Sequence, residues 1–169
     1  GECYMRVTAK AHTVEEADTL CQPLIEEIKR RVGDFVYSVA TDSREELVVS
    51  LLKAQGKTVH LGGNIGHPLL AETGTIAPGD VAVLELSSFQ LMTMTQSPHI
   101  AVMTNLSPNH LDVHKDYAEY IAAKANIFTY QTAQDIAIFN ADNDETLSLS
   151  AKAPGRVRLF SRKREVADG

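Results

Sequence analysis

Apolar and polar positions change over most sharply at Val81–Leu91, VAVLELSSFQL. Five of the first six residues are apolar, and then a carboxylate, two hydroxyls and an amide arrive together. A continuous apolar run of this length predicts a strand buried on both faces, of the kind found in parallel sheets. Ligands of open α/β sheets collect beyond the carboxyl ends of such strands, where Glu85, Ser87, Ser88 and Gln90 stand. The plainer alternative is a helix-capping serine pair beside an incidental glutamate.

From the N-terminus, Tyr4–Ala11 alternates as a strand with one wet face. Thr13 with Glu16 forms a capping box opening a helix whose apolar positions are Val14, Ala17, Leu20, Leu24, Ile28 and Val32. Pro23 is expected to kink or split that helix, and Gly33 to close it. Asp34–Val39 predicts a second short strand. Ser43 with Glu46 opens another helix, striped by Leu47, Val48, Leu51 and Leu52 and ended by Gly56. KTVHLGGNIGHPLL predicts a strand, a glycine turn and a helix start, with Gly62, Gly63 and Gly66 allowing close backbone approach. Beyond Val81–Leu91 come a helix around Gln90–Gln96, a strand His99–Thr104, a helix Tyr117–Tyr130 and a strand Asp135–Asn140. A short helix around Glu145–Ala151 and a strand Arg156–Ser161 complete the pattern. This alternation predicts an α/β fold with a mostly parallel, layered sheet.

A chain of 169 residues, 44% hydrophobic and 22% charged, suits one compact α/β domain or slightly more. The net charge of −6 argues against a nucleic-acid partner. Cys3 and Cys21 make no metal-ligand spacing, and a reduced, cytoplasmic setting is expected. No apolar run approaches transmembrane length, and GECYMRVTAK lacks the apolar core of a signal peptide, so no membrane partner is expected.

Glu85 and His110 each follow a predicted buried strand. Lys124 shares a helical face with Tyr117, Tyr120, Ile121, Ile127 and Phe128, in the middle of an apolar stripe. A buried lysine is costly unless paired or chemically altered. The alternative is a lysine whose stem packs while its amine reaches water.

GGNIG, ELSSFQL, TNLSPNHLDVH, YAEYIAAKANIF and FNADN, in this order and spacing, resemble the central domain of the Mur ligases, above all the D-glutamate-adding members. The resemblance runs from about residue 50 to the end. It implies a Rossmann-like or phosphate-loop-like topology and an ATP-dependent amide bond made through an acyl phosphate. It would place magnesium on Glu85 and His110 and make Lys124 the family's carbamylated lysine. Asn64, Ser87 and Gln90 would lie near the muramoyl substrate, and Asn140 and Asp142 towards the nucleotide.

Residues 4–52, in particular RVTAKAHTVEEADTLCQPLIEEIKRRVGDFVYS, resemble instead the small KH-like βαβ segment of the competence/damage-inducible CinA family. That resemblance carries no enzymatic site onto this chain. The glycine-bounded loop with which KH modules hold RNA is missing too.

One departure from the Mur pattern bears on chemistry. A Mur ligase opens this domain with a strand, a glycine-rich phosphate loop carrying Gly-Lys-Thr, and a helix. Here DFVYSVATDSREELVVSLL stands in that place, and no glycine lies between Gly33 and Gly56. Gly56-Lys57-Thr58 is no substitute: the position needing the earlier glycine is Leu51, and the triplet ends a helix instead of starting one. The expectation is therefore a join of two pieces, residues 4–52 and 53–169, folded as one unit in which the βαβ segment completes the Mur-like sheet. The family's flanking domains are not expected in the chain. Catalysis, cofactor binding and modification of Lys124 are not expected either, although the parent family uses Mg and ATP. The alternatives are a fragment of a D-glutamate-adding ligase and a CinA-like binding module. A homodimer is the expected partner, because incomplete sheets are often covered by exchanged elements.

Overall fold

A computed structural model describes residues 5–33, 43–64, 66, 68–108 and 113–167. The predicted strand Asp34–Val39 and the candidate ligand His110 lie outside them. The described chain divides into two compact units, residues 1–85 and 86–169. The division thus falls after Glu85, whereas the text of the sequence changes near residue 53.

In the first unit, α1 (Val14–Val32) starts where Thr13 Oγ1 accepts the Glu16 amide at 3.2 Å, while the Glu16 carboxylate accepts the His12 amide at 3.1 Å. Pro23 lies inside one continuous helix, so of the expected kink or split the split does not occur. Thr19, whose carbonyl loses its intrahelical donor to that proline, is exposed, so water can take the donor's place. Gly33 closes the helix as its C-cap, in right-handed geometry (φ −52°). Residues 5–11 form no strand. Alternation makes a strand only when a neighbour takes up its backbone groups, and no described strand pairs with this segment. No completion of a sheet by this segment is therefore seen among the described residues.

Helix α2 (Arg44–Ala54) is capped by Ser43 and released through Gln55 and a left-handed Gly56 (φ +77°). It packs on β1 (Val59–Gly63) and β2 (Val81–Glu85), which pair in parallel from Val59↔Val81 to Gly63↔Glu85. The link between the strands contains a 3-10 turn, Leu69–Glu72, with Leu69 buried. It closes on Asp80, whose carboxylate accepts the Ala77 amide at 2.9 Å and meets His60 Nε2 at 3.1 Å.

The second unit holds α3 (Ser88–Met92), β3 (Ile100–Met103), α4 (Tyr117–Thr129), β4 (Ile136–Asn140), α5 (Asp144–Ser150) and β5 (Arg156–Phe160). Its strands lie in the order β3-β4-β5, all parallel. The fold is thus α/β with parallel pairing throughout, carried by a two-stranded and a three-stranded sheet.

In-register partners share a face, so Ala101, Met103, Ala137, Phe139, Val157 and Leu159 point to one side of the three-stranded sheet. There they join Tyr120, Phe128 and Leu149 in the core, with Phe128 edge-on to Phe139 at 5.2 Å between ring centres. The other face is open: Ile100 and Val102 are 54% and 46% exposed. On β2, Leu84 is exposed and Val81 and Val83 only half-buried. The expected burial of Val81–Glu85 on both faces is therefore corrected: its residues alternate half-buried and exposed, with α2 packed on the strand. No helix among the described residues is long and apolar enough to cross a membrane.

Phe139 is fully buried on β4, the central strand of its sheet. Phe139→Ala should cost about 3–5 kcal/mol in urea unfolding, through lost transfer energy and the cavity left behind.

Hydrogen bonds hold three carboxyls below their ordinary value: the Ala77 amide and then His60 at Asp80, the Thr132 amide and then His99 at Asp135, and the Ser161 hydroxyl and then the Arg162 amide at Asp142. Depressed carboxyls stabilise the fold above their unfolded pKa, about 3.9. That stability should disappear as pH falls through their lower folded values. Asp142→Asn should flatten the acid limb of a pH-stability curve and leave the region above pH 5 nearly parallel to the parent's.

Candidate functional site at the carboxyl end of β2

Glu85 closes β2 opposite Gly63. Its carbonyl accepts the Asn64 amide at 2.7 Å, which places Asn64 beside Glu85 at the ends of two adjacent strands. This approach requires glycine: Gly63 adopts φ +116°, and a Cβ there would collide with the Glu85 carbonyl oxygen. Glu85 Oε2 is buried and has no hydrogen-bond partner. An unpaired buried carboxylate oxygen is costly, and a cation is the chemistry that best relieves it.

The next residues belong to the second unit and are held from three places. Lys124 Nζ, half-buried on α4, donates to the Leu86 carbonyl at 3.1 Å. Ser88 Oγ lies 2.9 Å from His114 Nε2, with both residues buried. Asn126 Nδ2 donates to the Leu91 carbonyl at 2.9 Å. Ser87 and Gln90 form a reciprocal capping box: Ser87 Oγ accepts the Gln90 amide, and Gln90 Oε1 accepts the Ser87 amide at 2.9 Å. The helix-capping alternative therefore describes what these two side chains do in this structure.

His114 was not singled out by the spacing of candidate ligands. It stacks on Phe89 at 5.3 Å, meets Tyr120 edge-on at 5.4 Å, and turns Nδ1 towards Glu119 Oε2 at 3.5 Å. The available signal was a histidine two residues before the Asp116 helix cap, where the chain entering α4 passes the start of α3.

Asn140 and Asp142 lie at and just beyond the carboxyl end of β4, engaged within the unit. Asn140 Nδ2 donates to the Thr104 carbonyl at 2.9 Å and its Oδ1 accepts the Asp142 amide at 2.9 Å. Asp142 accepts from Ser161 Oγ at 2.6 Å and from the Arg162 amide at 2.7 Å, which folds the segment after β5 back onto β4.

The structure thus brings Asn64 to Glu85 in one unit and gathers Ser87, Gln90 and Lys124 around the start of α3 in the other. Asn140 and Asp142 sit apart from that group, at another strand end. Among the described residues no group of three or more His, Cys, Asp or Glu side chains could hold a metal. The free Glu85 oxygen suits one bond to a cation, whereas magnesium takes six ligands. The donor set described here does not by itself fit magnesium with a bound triphosphate.

Parallel strands with polar residues at their carboxyl ends define an α/β protein. A family model for the Mur ligase middle domain matches residues 32–168, and the chain belongs to that family. A model for the KH domain of damage-inducible protein CinA matches residues 1–38. The UDP-N-acetylmuramoylalanine–D-glutamate ligase of Clostridium kluyveri is 54% identical over 123 residues, 73% of this chain and 27% of that protein. The ligase of the same name from Acetivibrio thermocellus is also 54% identical over 123 residues, 26% of its length. That of Clostridium botulinum is 41% identical over 170 aligned residues, spanning all of this chain and 36% of its own. The chain therefore spans about a quarter to a third of the length of these relatives. The structure of a UDP-N-acetylmuramoyl-L-alanyl-D-glutamate–2,6-diaminopimelate ligase superposes with a TM-score of 0.55 at 23% identity. It covers 73% of this chain and 30% of that one, a likeness of fold.

Gly63→Ala should destabilise the chain by at least about 1–3 kcal/mol, since it forces both a strained φ and a backbone collision. Thermal unfolding measures this; a Gly62→Ala control, whose φ is not left-handed, should cost less.

Proposed function

We propose that this chain is the middle-domain scaffold of a D-glutamate-adding Mur ligase, joined to a CinA-like segment, and that it does not form an amide bond as it stands. The observation carrying this reading is the contrast between two stretches. Over 123 residues the chain is about half identical to D-glutamate ligases, yet residues 34–55 contain no glycine where the phosphate loop belongs. Phosphoryl transfer depends on positioning and on neutralising charge at the γ-phosphate. Without that loop the chain loses the backbone amide cradle, the lysine on the phosphates and the hydroxyl that binds magnesium. Glu85 and His110 supply two ligands at most, too few to hold hydrated magnesium and ATP firmly. The two family matches overlap at residues 32–38, so the CinA-like match ends short of residue 52, where the sequence reading sets the join.

The second reading is a D-glutamate ligase fragment that works with partners. It is favoured by the alignment of the whole chain to the C. botulinum ligase.

Calorimetric titration of ATP with Mg, followed by assays of phosphate release and D-glutamate ligation to UDP-N-acetylmuramoylalanine, separates the two. The expected result is no saturable heat and no turnover above a Glu85→Ala, His110→Ala control. Stoichiometric micromolar binding, or turnover lost in that double variant, would restore the ligase-fragment reading.

A further inference from the structure

His60 stands on β1 between two carboxylates of the link to β2. Its Nε2 lies 3.1 Å from Asp80 Oδ2, and its Nδ1 lies 3.9 Å from Glu72 Oε2. The side chains of His60 and Asp80 are 16% and 15% exposed, and that of Glu72 is 41% exposed. Alternation along the strands puts His60 on the face of Ala82 and Leu84, away from Leu61 and Val83. Helix α2, β2 and the 3-10 turn pack against β1. Their charged groups are Arg44, Glu45, Glu46 and Lys53 on α2, Glu85 at the end of β2, Asp80 just before it, and Glu72 on the turn. Lys57 precedes β1 itself. Among the described residues, Glu72 and Asp80 are the carboxylates that the ring meets.

The two contacts ask different things of the ring. A neutral imidazole carries one N–H and one bare nitrogen, whereas the cation carries two N–H groups. Asp80 is fixed from elsewhere: its carboxylate accepts the Ala77 amide at 2.9 Å, and its own amide donates to the Ala77 carbonyl at 3.0 Å. As the nearer carboxylate, Asp80 takes the single proton of the neutral ring, on Nε2. The bare Nδ1 then faces the Glu72 carboxylate, and two lone pairs repel. A proton on Nδ1 turns that repulsion into attraction and adds charge assistance to the Asp80 contact. The imidazole changes charge between about pH 5 and 8, above the range in which carboxyls ordinarily titrate. Glu72 closes the 3-10 turn, and its carbonyl accepts both the amide and the hydroxyl of Thr75 at 2.8 Å. A tie at Glu72 therefore reaches the turn that sends the chain back towards β2.

The three-stranded sheet carries a similar clasp with a single carboxylate. His99 Nδ1 lies 2.6 Å from Asp135 Oδ1, and Asp135 directly precedes β4 as Asp80 precedes β2. Asp135 accepts the Thr132 amide at 2.7 Å, just as Asp80 accepts that of Ala77. The His99 side chain is 66% exposed and meets only Asp135 among the described residues. It supplies a control within the same chain.

We propose that His60 is a proton-operated latch on the link between β1 and β2. The imidazolium ties the turn Leu69–Glu72 to β1 through Glu72, and the neutral ring releases it. The tie is made by the protonated ring alone, so it is present at the acid end of the imidazole range and lost as pH rises through it. The latch involves no ligand and is independent of any ligase activity.

Hydrogen exchange of the Thr75 amide, read by NMR on the full chain and corrected for the intrinsic pH dependence of exchange, tests it. Protection should be about three-fold higher at about pH 5.5 than at about pH 8, the size expected of a partly exposed ion pair. Glu72→Gln should remove that difference. Because Glu72 lies towards the surface, this variant should keep the fold and the His60–Asp80 contact, whereas His60→Gln disturbs both contacts. His60→Gln should also remove the difference, and His99→Gln should leave it in place. Protection that does not change with pH in the parent chain would overturn the proposal. So would a difference that survives Glu72→Gln or His60→Gln, or one that disappears in His99→Gln.

Discussion

Parallel pairing is the constraint on which the architecture depends. Every strand pair in both sheets is parallel, so no connection can be a tight hairpin, and each must cross back over its sheet. The crossover from β3 to β4 supplies α4 and the one from β4 to β5 supplies α5, and both feed the core. The same constraint gathers the carboxyl ends of paired strands at one edge of each sheet. Glu85 with Asn64, and Asn140 with Asp142, stand at such edges for that topological reason.

The two edges are chemically unlike. At the end of β4 the polar groups answer one another: Asn140, Asp142, Ser161 and the backbone at 104, 141 and 162 form a connected network. A network of that kind rigidifies the return of the chain after β5. At the end of β2, by contrast, Glu85 keeps a buried oxygen without a partner. Proteins retain such groups where a ligand relieves them or where an ancestor's ligand did.

His114 shows how the start of α3 is kept in place without help from catalysis. It binds the Ser88 hydroxyl, stacks on Phe89 and abuts Tyr120, fastening α3 to the entry of α4. Lys124 and Asn126 add two further ties from α4 to the backbone just before and within α3. The result is a loop whose shape is set by packing and hydrogen bonds.

Much of this was legible in the residues themselves. The caps at Thr13, Ser43 and Ser87, the end of the second helix at Gly56, and the five strands from Val59 to Phe160 follow from local patterns, because hydrogen-bond caps and side-chain periodicity act over a few residues. Three of the features that did not follow show why. Tyr4–Ala11 alternates like a strand, but its pairing depends on a neighbour distant in sequence, and residues 5–11 have none among the described residues. Val81–Glu85 reads as buried on both faces, yet apolar composition cannot say how many faces receive a helix. Ser87 and Gln90 read equally well as a cap or as substrate contacts, and their reciprocal hydrogen bonds describe a cap. The sequence by itself determined the elements and their order, through interactions spanning a turn or two. Only the tertiary structure decided which faces are covered, which polar atoms find partners and which, like Glu85 Oε2, do not, because burial and pairing depend on residues brought together from far along the chain.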